Sequence, residues 1–298
     1  GDGASCLQFR RSTIIITVTR ILLAIAAVTT LASPGCGSRR YPVSGMVLQI
    51  DRAEHTMVVS HERIPGYMDP MAMPFRVRDA ASLDLLQPGM RVEFTLVVNK
   101  QESWAERVRL PGGARMEPDL ERAAPAPSIS VGLGQPVPDF ELTDQQGRPV
   151  KLSQFAGKVV AVTFIYTRCP LPDVCPRLSS NFARMQERFG AQLGRDLVLF
   201  SVTFDPQYDR PEVLAEHARG WKANSDGWRF LTGSLDEVRR VCGLFGVDFW
   251  PDEGLITHSM RTAIVDRSGR LAANLPGRDF TVQQLGDLIQ TVLKGTAS

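Results

Sequence analysis

Cysteine is scarce in this chain of 298 residues: five in all, too few for a disulfide scaffold, so any cysteine chemistry is local. Charge of one sign is lacking as well. Thirty-four Lys plus Arg stand against 32 Asp plus Glu, which excludes a protein whose affinity comes from neutralising phosphates, and nucleic acid is not an expected partner. There is no internal repeat. What is present, 43% hydrophobic and 22% charged residues, is the composition of folded protein and excludes both a wholly disordered chain and a multi-span membrane protein. At roughly 100 to 200 residues per domain, the length favours two domains.

Residues 1–36 read as an address rather than as fold. Arg10 and Arg11 precede an apolar run from Ile14 to Ala32, broken once by Arg20, and its second part suits the apolar core of an export signal. The following LASPGCG resembles the cleavage and lipid-attachment site of bacterial lipoproteins, with Cys36 as the acylated residue, although Ser33 stands where an aliphatic residue is usual. The alternative is an uncleaved anchor, because the run nearly reaches spanning length. Both readings put the remainder outside the cytoplasm and tie it to a membrane. Cleavage would remove three basic residues and one acidic residue, leaving 31 of each. Cys6 would go with the signal and has no assigned role.

From Tyr41 to Leu110, short alternating runs (GMVLQID, TMVVSH, MPFRV, RVEFTLVVN, WAERVRL) separated by Asp, Gly, Pro and Asn predict five strands, enough for a small all-β barrel over 43–110. Residues 111–135 are rich in Pro and Gly and predict a linker. From 136 to 296 strands alternate with helices, which predicts an α/β domain. Its central strand is KVVAVTFIYT, 158–167. Helices are expected at 176–189, 211–223, 234–245 and 281–293, with further strands at 197–204 and 261–266.

Two constellations carry chemistry. In HERIPGYMDPMAMPF, His61 is followed by Met68, Met71 and Met73, three of only nine methionines in the chain. Thioether sulfur and imidazole are neutral ligands that suit copper, Cu(I) above all. Met71 and Met73 are two apart, so on a strand they share a face, and a histidine from the neighbouring strand would complete a three-ligand site. The competing reading makes the methionines core filler. The segment resembles the CusF-like periplasmic copper-binding domain, a short OB-like barrel that binds Cu(I) through one His and an M-x-M pair. The resemblance implies His61, Met71 and Met73 as ligands. Met68 stands where that family has a capping tryptophan, so it is either a third sulfur ligand or the mark of a missing cap. His55 lies outside the motif and is expected at the surface.

The second constellation is FIYTRCPLPDVCP, with Cys169 and Cys175 between the end of the central strand and a helix that Pro176 is suited to open. Such a turn sets free backbone N–H groups beside sulfur and favours thiolate, which is both nucleophile and copper ligand. Together with VPDFELTDQQGRPVKL before it, and FSVTFDPQYDRPEVL and THSMRTAIVDRSG after it, this segment is similar to the Sco/SenC family of thioredoxin-like copper proteins. The resemblance implies a thioredoxin-like fold and copper held by Cys169, Cys175 and His258. It implies that Asp205 stands beside the site, and that the protein serves in assembly of the copper centre of cytochrome c oxidase. Five residues separate the cysteines where the family has three, and Thr257 precedes His258 where an acidic residue is usual. His217 and Cys242 fall at helical spacing with apolar neighbours and are expected in packing.

The leading expectation is therefore a membrane-tethered metallochaperone binding copper, as Cu(I) or Cu(II), and delivering it to an acceptor such as a cytochrome c oxidase subunit, with the linker letting one domain reach the other or the acceptor. The alternatives are a thiol–disulfide oxidoreductase that keeps acceptor cysteines reduced through Cys169 and Cys175, and copper sequestration for resistance.

Overall fold

In the computed structural model the described residues are 38–111, 130–252, 255–277 and 279–295. The expected export segment and most of the expected linker lie outside them. Residues Arg39–Ser298 form one compact unit. Among the described residues no helix is long and apolar enough to cross a membrane.

The first part is a five-stranded antiparallel sheet, β1 (Arg39–Asp51), β2 (Thr56–His61), β3 (Met71–Arg76), β4 (Arg91–Val98) and β5 (Ser103–Arg109), in the order β3-β2-β1-β4-β5. All five lie where the alternating runs predicted them. The closed barrel does not follow: no ladder joins the edge strands β3 and β5. Past the end of β3 they are linked by an isolated bridge from Val77 to Ala105, the bond from Arg78 N–H to the Ala105 carbonyl, 3.1 Å, and the Arg78 side chain, which pairs with Glu106 and lies over Trp104. The curled sheet wraps its own core of Val43, Val47, Met57, Val59, Phe75 and Phe94.

The second part is a seven-stranded mixed sheet, built from β6 (Glu141–Asp144), β7 (Pro149–Lys151), β8 (Val159–Ile165), β9 (Leu197–Thr203), β10 (Trp228–Thr232), β13 (Arg261–Val265) and β14 (Leu271–Pro276), in the order β14-β13-β8-β9-β10-β6-β7. The helices are α1 (Cys175–Arg188), α2 (Pro211–Gly220), α3 (Leu235–Leu244) and α4 (Val282–Leu293). β8 and β9 run parallel through α1 and are buried at every position, as predominantly apolar strands in a covered sheet must be. β13 returns antiparallel to β8, and β14 and α4 complete the β-α-β, β-β-α arrangement of a thioredoxin-like fold. Capping boxes open α3 at Ser234 with Glu237 and α4 at Thr281 with Gln284. A separate two-stranded hairpin, β11 (Phe249–Asp252) and β12 (Leu255–His258), escaped the sequence reading because its strands are four residues each.

The two parts are packed against each other. Met46 and Leu48, on the outer face of β1, are buried in the core of the second part. On β2, Ser60 Oγ donates to Asp287 of α4 at 2.7 Å, and Gln284 Nε2 donates to the Ser60 carbonyl at 3.4 Å. Arg91 on β4 donates to the Asp279 carbonyl at 2.6 Å. The last residues of the expected linker are also fixed, Val131 N–H to Leu244 O and Gly134 N–H to Leu271 O, each 2.8 Å.

Candidate metal centres

His61 ends β2 and pairs directly with Met71, the first residue of β3, while Val59 pairs with Met73. Directly opposed residues of an antiparallel pair project to the same face, so His61, Met71 and Met73 share the concave side with Val59 and Phe75. The imidazole is 1% exposed and meets the Phe75 ring edge-on, with centroids 5.9 Å apart. Its Nδ1 lies 2.7 Å from the Glu62 carbonyl oxygen. A carbonyl only accepts, so Nδ1 carries the proton and Nε2 carries the lone pair. That Nε2 is buried and has no hydrogen-bond partner.

The thioethers are graded in depth. Met73 is half-buried against the core of the first part, Met68 is half-buried and held by a two-way backbone bridge to Ile64, and Met71 is 49% exposed at the mouth. His61 thus presents a buried, unpartnered ring nitrogen on the strand face that also carries Met71 and Met73. Backbone room for it comes from Gly45, opposite His61 on β1, where an added Cβ would stand 2.6 Å from the Ser60 carbonyl oxygen and 2.8 Å from His61 Cα. His55 is exposed in the β1–β2 turn, with a left-handed φ of 51°.

The second set gathers beyond the carboxyl end of β8. Cys169 lies in the loop and is partly exposed; Cys175 is the first residue of α1 and is 3% exposed. Both thiols are free, and their side chains interact. Cys169 Sγ stands 3.8 Å from the Leu171 carbonyl oxygen, and that same carbonyl accepts from Val174 N–H at 3.1 Å, so Leu171 closes the turn that carries the loop to α1. Tyr166 stands beside the pair and interacts with both sulfurs. Burial, with the sulfurs beside it, pushes the phenol up to about 12, which keeps it a proton donor at neutral pH. Burial likewise pushes the Cys175 thiol well above its ordinary range, against the sequence expectation that the helix start favours thiolate there.

His258 closes β12. Its ring packs at 4.3 Å from Phe204 and edge-on at 6.2 Å from Tyr166. Nδ1 faces the Ser259 carbonyl at 3.1 Å, which leaves Nε2 as the free nitrogen, and burial lowers the imidazole's proton affinity so that it is neutral. Cys169, Cys175 and His258 thus surround one tyrosine. Among the described residues, however, no three His, Cys, Asp or Glu side chains stand close enough to hold a metal, so the histidine is near the sulfurs without completing a set.

Asp205 is buried and takes a guanidinium bond of 2.6 Å from Arg168, whose cation also lies 4.2 Å over the Tyr208 ring. Sequence reasoning passed over Tyr166, Arg168 and Asp209. Asp209 is 0% exposed and accepts from Thr167 and Thr203. The available signal was an acidic residue four positions after Asp205, in a turn leaving a wholly buried strand. His217 packs against Trp221 and Phe230, accepting from Trp221 Nε1 at 3.1 Å, and Cys242 is sealed in the core.

Residues 133–294, more than half of the chain, match the SCO1/SenC family model. The chain belongs to the SCO1/SenC family. Residues 40–109 match a second model, that of the copper binding periplasmic protein CusF. Among relatives of this SCO1/SenC member, Protein sco1 of Schizosaccharomyces pombe is 28% identical over 57% of this chain and 65% of its own length. A SCO1 protein homolog of Bacillus subtilis is 31% identical over 35% of this chain and 53% of its own. The chain therefore spans less than two thirds of the length of these curated relatives. Among solved structures, a SCO1/SenC family lipoprotein from Bacillus anthracis aligns with a TM-score of 0.48 at 26% identity, covering 56% of this chain and all of that one.

Proposed function

We propose that this SCO1/SenC protein is an extracytoplasmic copper chaperone, tethered to a membrane through its N-terminal segment by a lipid on Cys36 or by the apolar run itself. Copper is the bound metal. His61, Met71 and Met73, with Met68 beside them, take Cu(I) in the first part. Cys169, Cys175 and His258 take copper in the second, and the acceptor is a cytochrome c oxidase subunit. The observation that carries this reading is the buried, unpartnered Nε2 of His61. Hiding a polar atom from water without a partner costs about 1–3 kcal/mol, and a soft cation bound there, with thioethers completing its shell, would offset that cost. At the cysteine pair, His258 stands on a hairpin that shares no ladder with the main sheet, so its Nε2 can approach the sulfurs without breaking that sheet.

The test is Cu(I) titration of the full chain with X-ray absorption at the copper edge. Two sulfur environments are expected, the thioether one lost in the double variant Met71→Ala, Met73→Ala and the thiolate one in Cys169→Ser. A copper stoichiometry that neither variant changes would sink the reading. The absence of a closed three-ligand set and the contrast between accessible Cys169 and buried Cys175 favour a second activity, thiol–disulfide exchange. In it the reduced pair gives two electrons and two protons to an acceptor disulfide and becomes a disulfide itself. His258→Ala separates the two, since it removes a copper ligand and leaves both thiols.

A further inference from the structure

Asp209 is 0% exposed, and burial pushes its carboxyl above the ordinary carboxylate range against the hydrogen bonds that hold it down. Burying a charge without a counter-ion is costly, and it persists only where hydrogen bonds are aimed at it. Here Oδ2 accepts from Thr167 N–H at 3.0 Å and from Thr203 Oγ at 2.5 Å, and Oδ1 accepts from Thr167 Oγ in a short bond. These donors sit on the two central strands as they end. Thr167 follows β8 two residues before Cys169; Thr203 is the last residue of β9, and its own Oγ accepts from Asp205 N–H at 3.0 Å. The 205–209 turn is closed by Asp209 N–H to Asp205 O, 2.8 Å. One carboxylate therefore ties together the entry to the cysteine loop, the end of the neighbouring strand and the turn that carries Asp205 to Arg168.

We propose that Asp209 is the positioning residue of the cysteine pair. It acts through Thr167, fixing the path of the chain into Cys169 and hence the effective concentration of Cys169 toward Cys175, and its charge is also felt by the buried Cys175 thiol. The loop needs such a device because it spans five residues between the cysteines and holds itself to α1 chiefly through the Leu171 turn. The inference refines the site of the proposed function, but it concerns the two thiols themselves and can be read without copper.

The experiment equilibrates the metal-free full chain with glutathione and glutathione disulfide and measures the fraction of Cys169–Cys175 disulfide. In that reaction two thiols lose two electrons and two protons, and glutathione disulfide takes them to become two glutathiones. Asp209→Ala removes all three acceptor contacts and is expected to lower the equilibrium constant about tenfold, the equivalent of one to two hydrogen bonds of net worth. Asp209→Asn keeps one oxygen for Thr167 N–H and Thr203 Oγ, and its amide can donate to Thr167 Oγ, so it is expected to stay within threefold of the parent. Thr167→Val, which keeps the backbone bond and loses the hydroxyl, is expected to fall between them and supplies the readout should Asp209→Ala not fold. Thermal melting is recorded alongside. An equilibrium constant unchanged in Asp209→Ala while its melting point drops, or unchanged in Thr167→Val, would overturn the proposal by leaving a purely structural carboxylate. A chain that binds no copper but shows these disulfide shifts would refute the copper reading and leave the positioning role standing.

Discussion

Replacing His61 by Leu separates a residue kept for packing from one kept for a metal. The variant loses the Nδ1–H bond to the Glu62 carbonyl, worth about 0.5–1.5 kcal/mol, and the edge contact with Phe75, worth about 0.5–1.5 kcal/mol. It also removes the unpartnered Nε2, whose desolvation costs about 1–3 kcal/mol. Leu is close to His in size, so neither a large cavity nor overpacking enters. These opposing contributions nearly cancel, and the metal-free variant is expected to match the parent within about 1 kcal/mol. The difference emerges with metal: Cu(I) at a hundred times its dissociation constant stabilises the parent by about 2.7 kcal/mol and is expected to do nothing for the variant's first part. Amide hydrogen exchange along the β1–β2–β3 ladders, with and without Cu(I), reads this locally and needs no two-state unfolding of the whole chain. A metal-free variant weakened by more than about 2 kcal/mol, with Cu(I) protection intact, would mean that His61 is an ordinary core side chain.

Two further outcomes follow from the geometry. Gly45→Ala drives a methyl against the Ser60 carbonyl oxygen and His61 Cα, so β1 must withdraw from β2; a loss of about 1–3 kcal/mol is expected, together with weakened Cu(I) binding in the same titration, and unchanged binding would show that the strand spacing is irrelevant to His61. Alkylation by iodoacetamide at pH 8, followed by peptide mass spectrometry, should modify Cys169 at least about tenfold faster than Cys175, whose thiol burial keeps protonated, and should leave Cys242 untouched; equal rates at the first two would contradict the described loop.

What could be read from residues alone was whatever local chemistry decides. The apolar runs VVAVTFI and LVLFSVT announced buried parallel strands, and all four helices of the second part lie within a few residues of their predicted spans. His61 and the M-x-M pair were legible because strand periodicity alone puts Met71 and Met73 on one face. Tertiary facts were not legible. The GMVL run of β1 is buried on both faces, yet in sequence it reads as an ordinary strand of a free-standing barrel, and nothing local says that Met46 and Leu48 have a second core to enter. Ser60, between Val59 and His61, carries no local sign of its partner Asp287, which is 227 positions away. For Asp209 the spacing from Asp205 was the sole local sign, since only the meeting of β8 and β9 creates its donors. Cys175 illustrates a contest of effects: the helix start argued for thiolate, and burial outweighs it.

The shared seam has a practical corollary. Because β1 contributes apolar side chains to both interiors, cutting the gene between the halves would leave each with an oily scar, and the severed thioredoxin-like piece would tend to aggregate rather than merely lose a ligand site. Met46 and Leu48 thus make the burial of each half depend on the presence of the other.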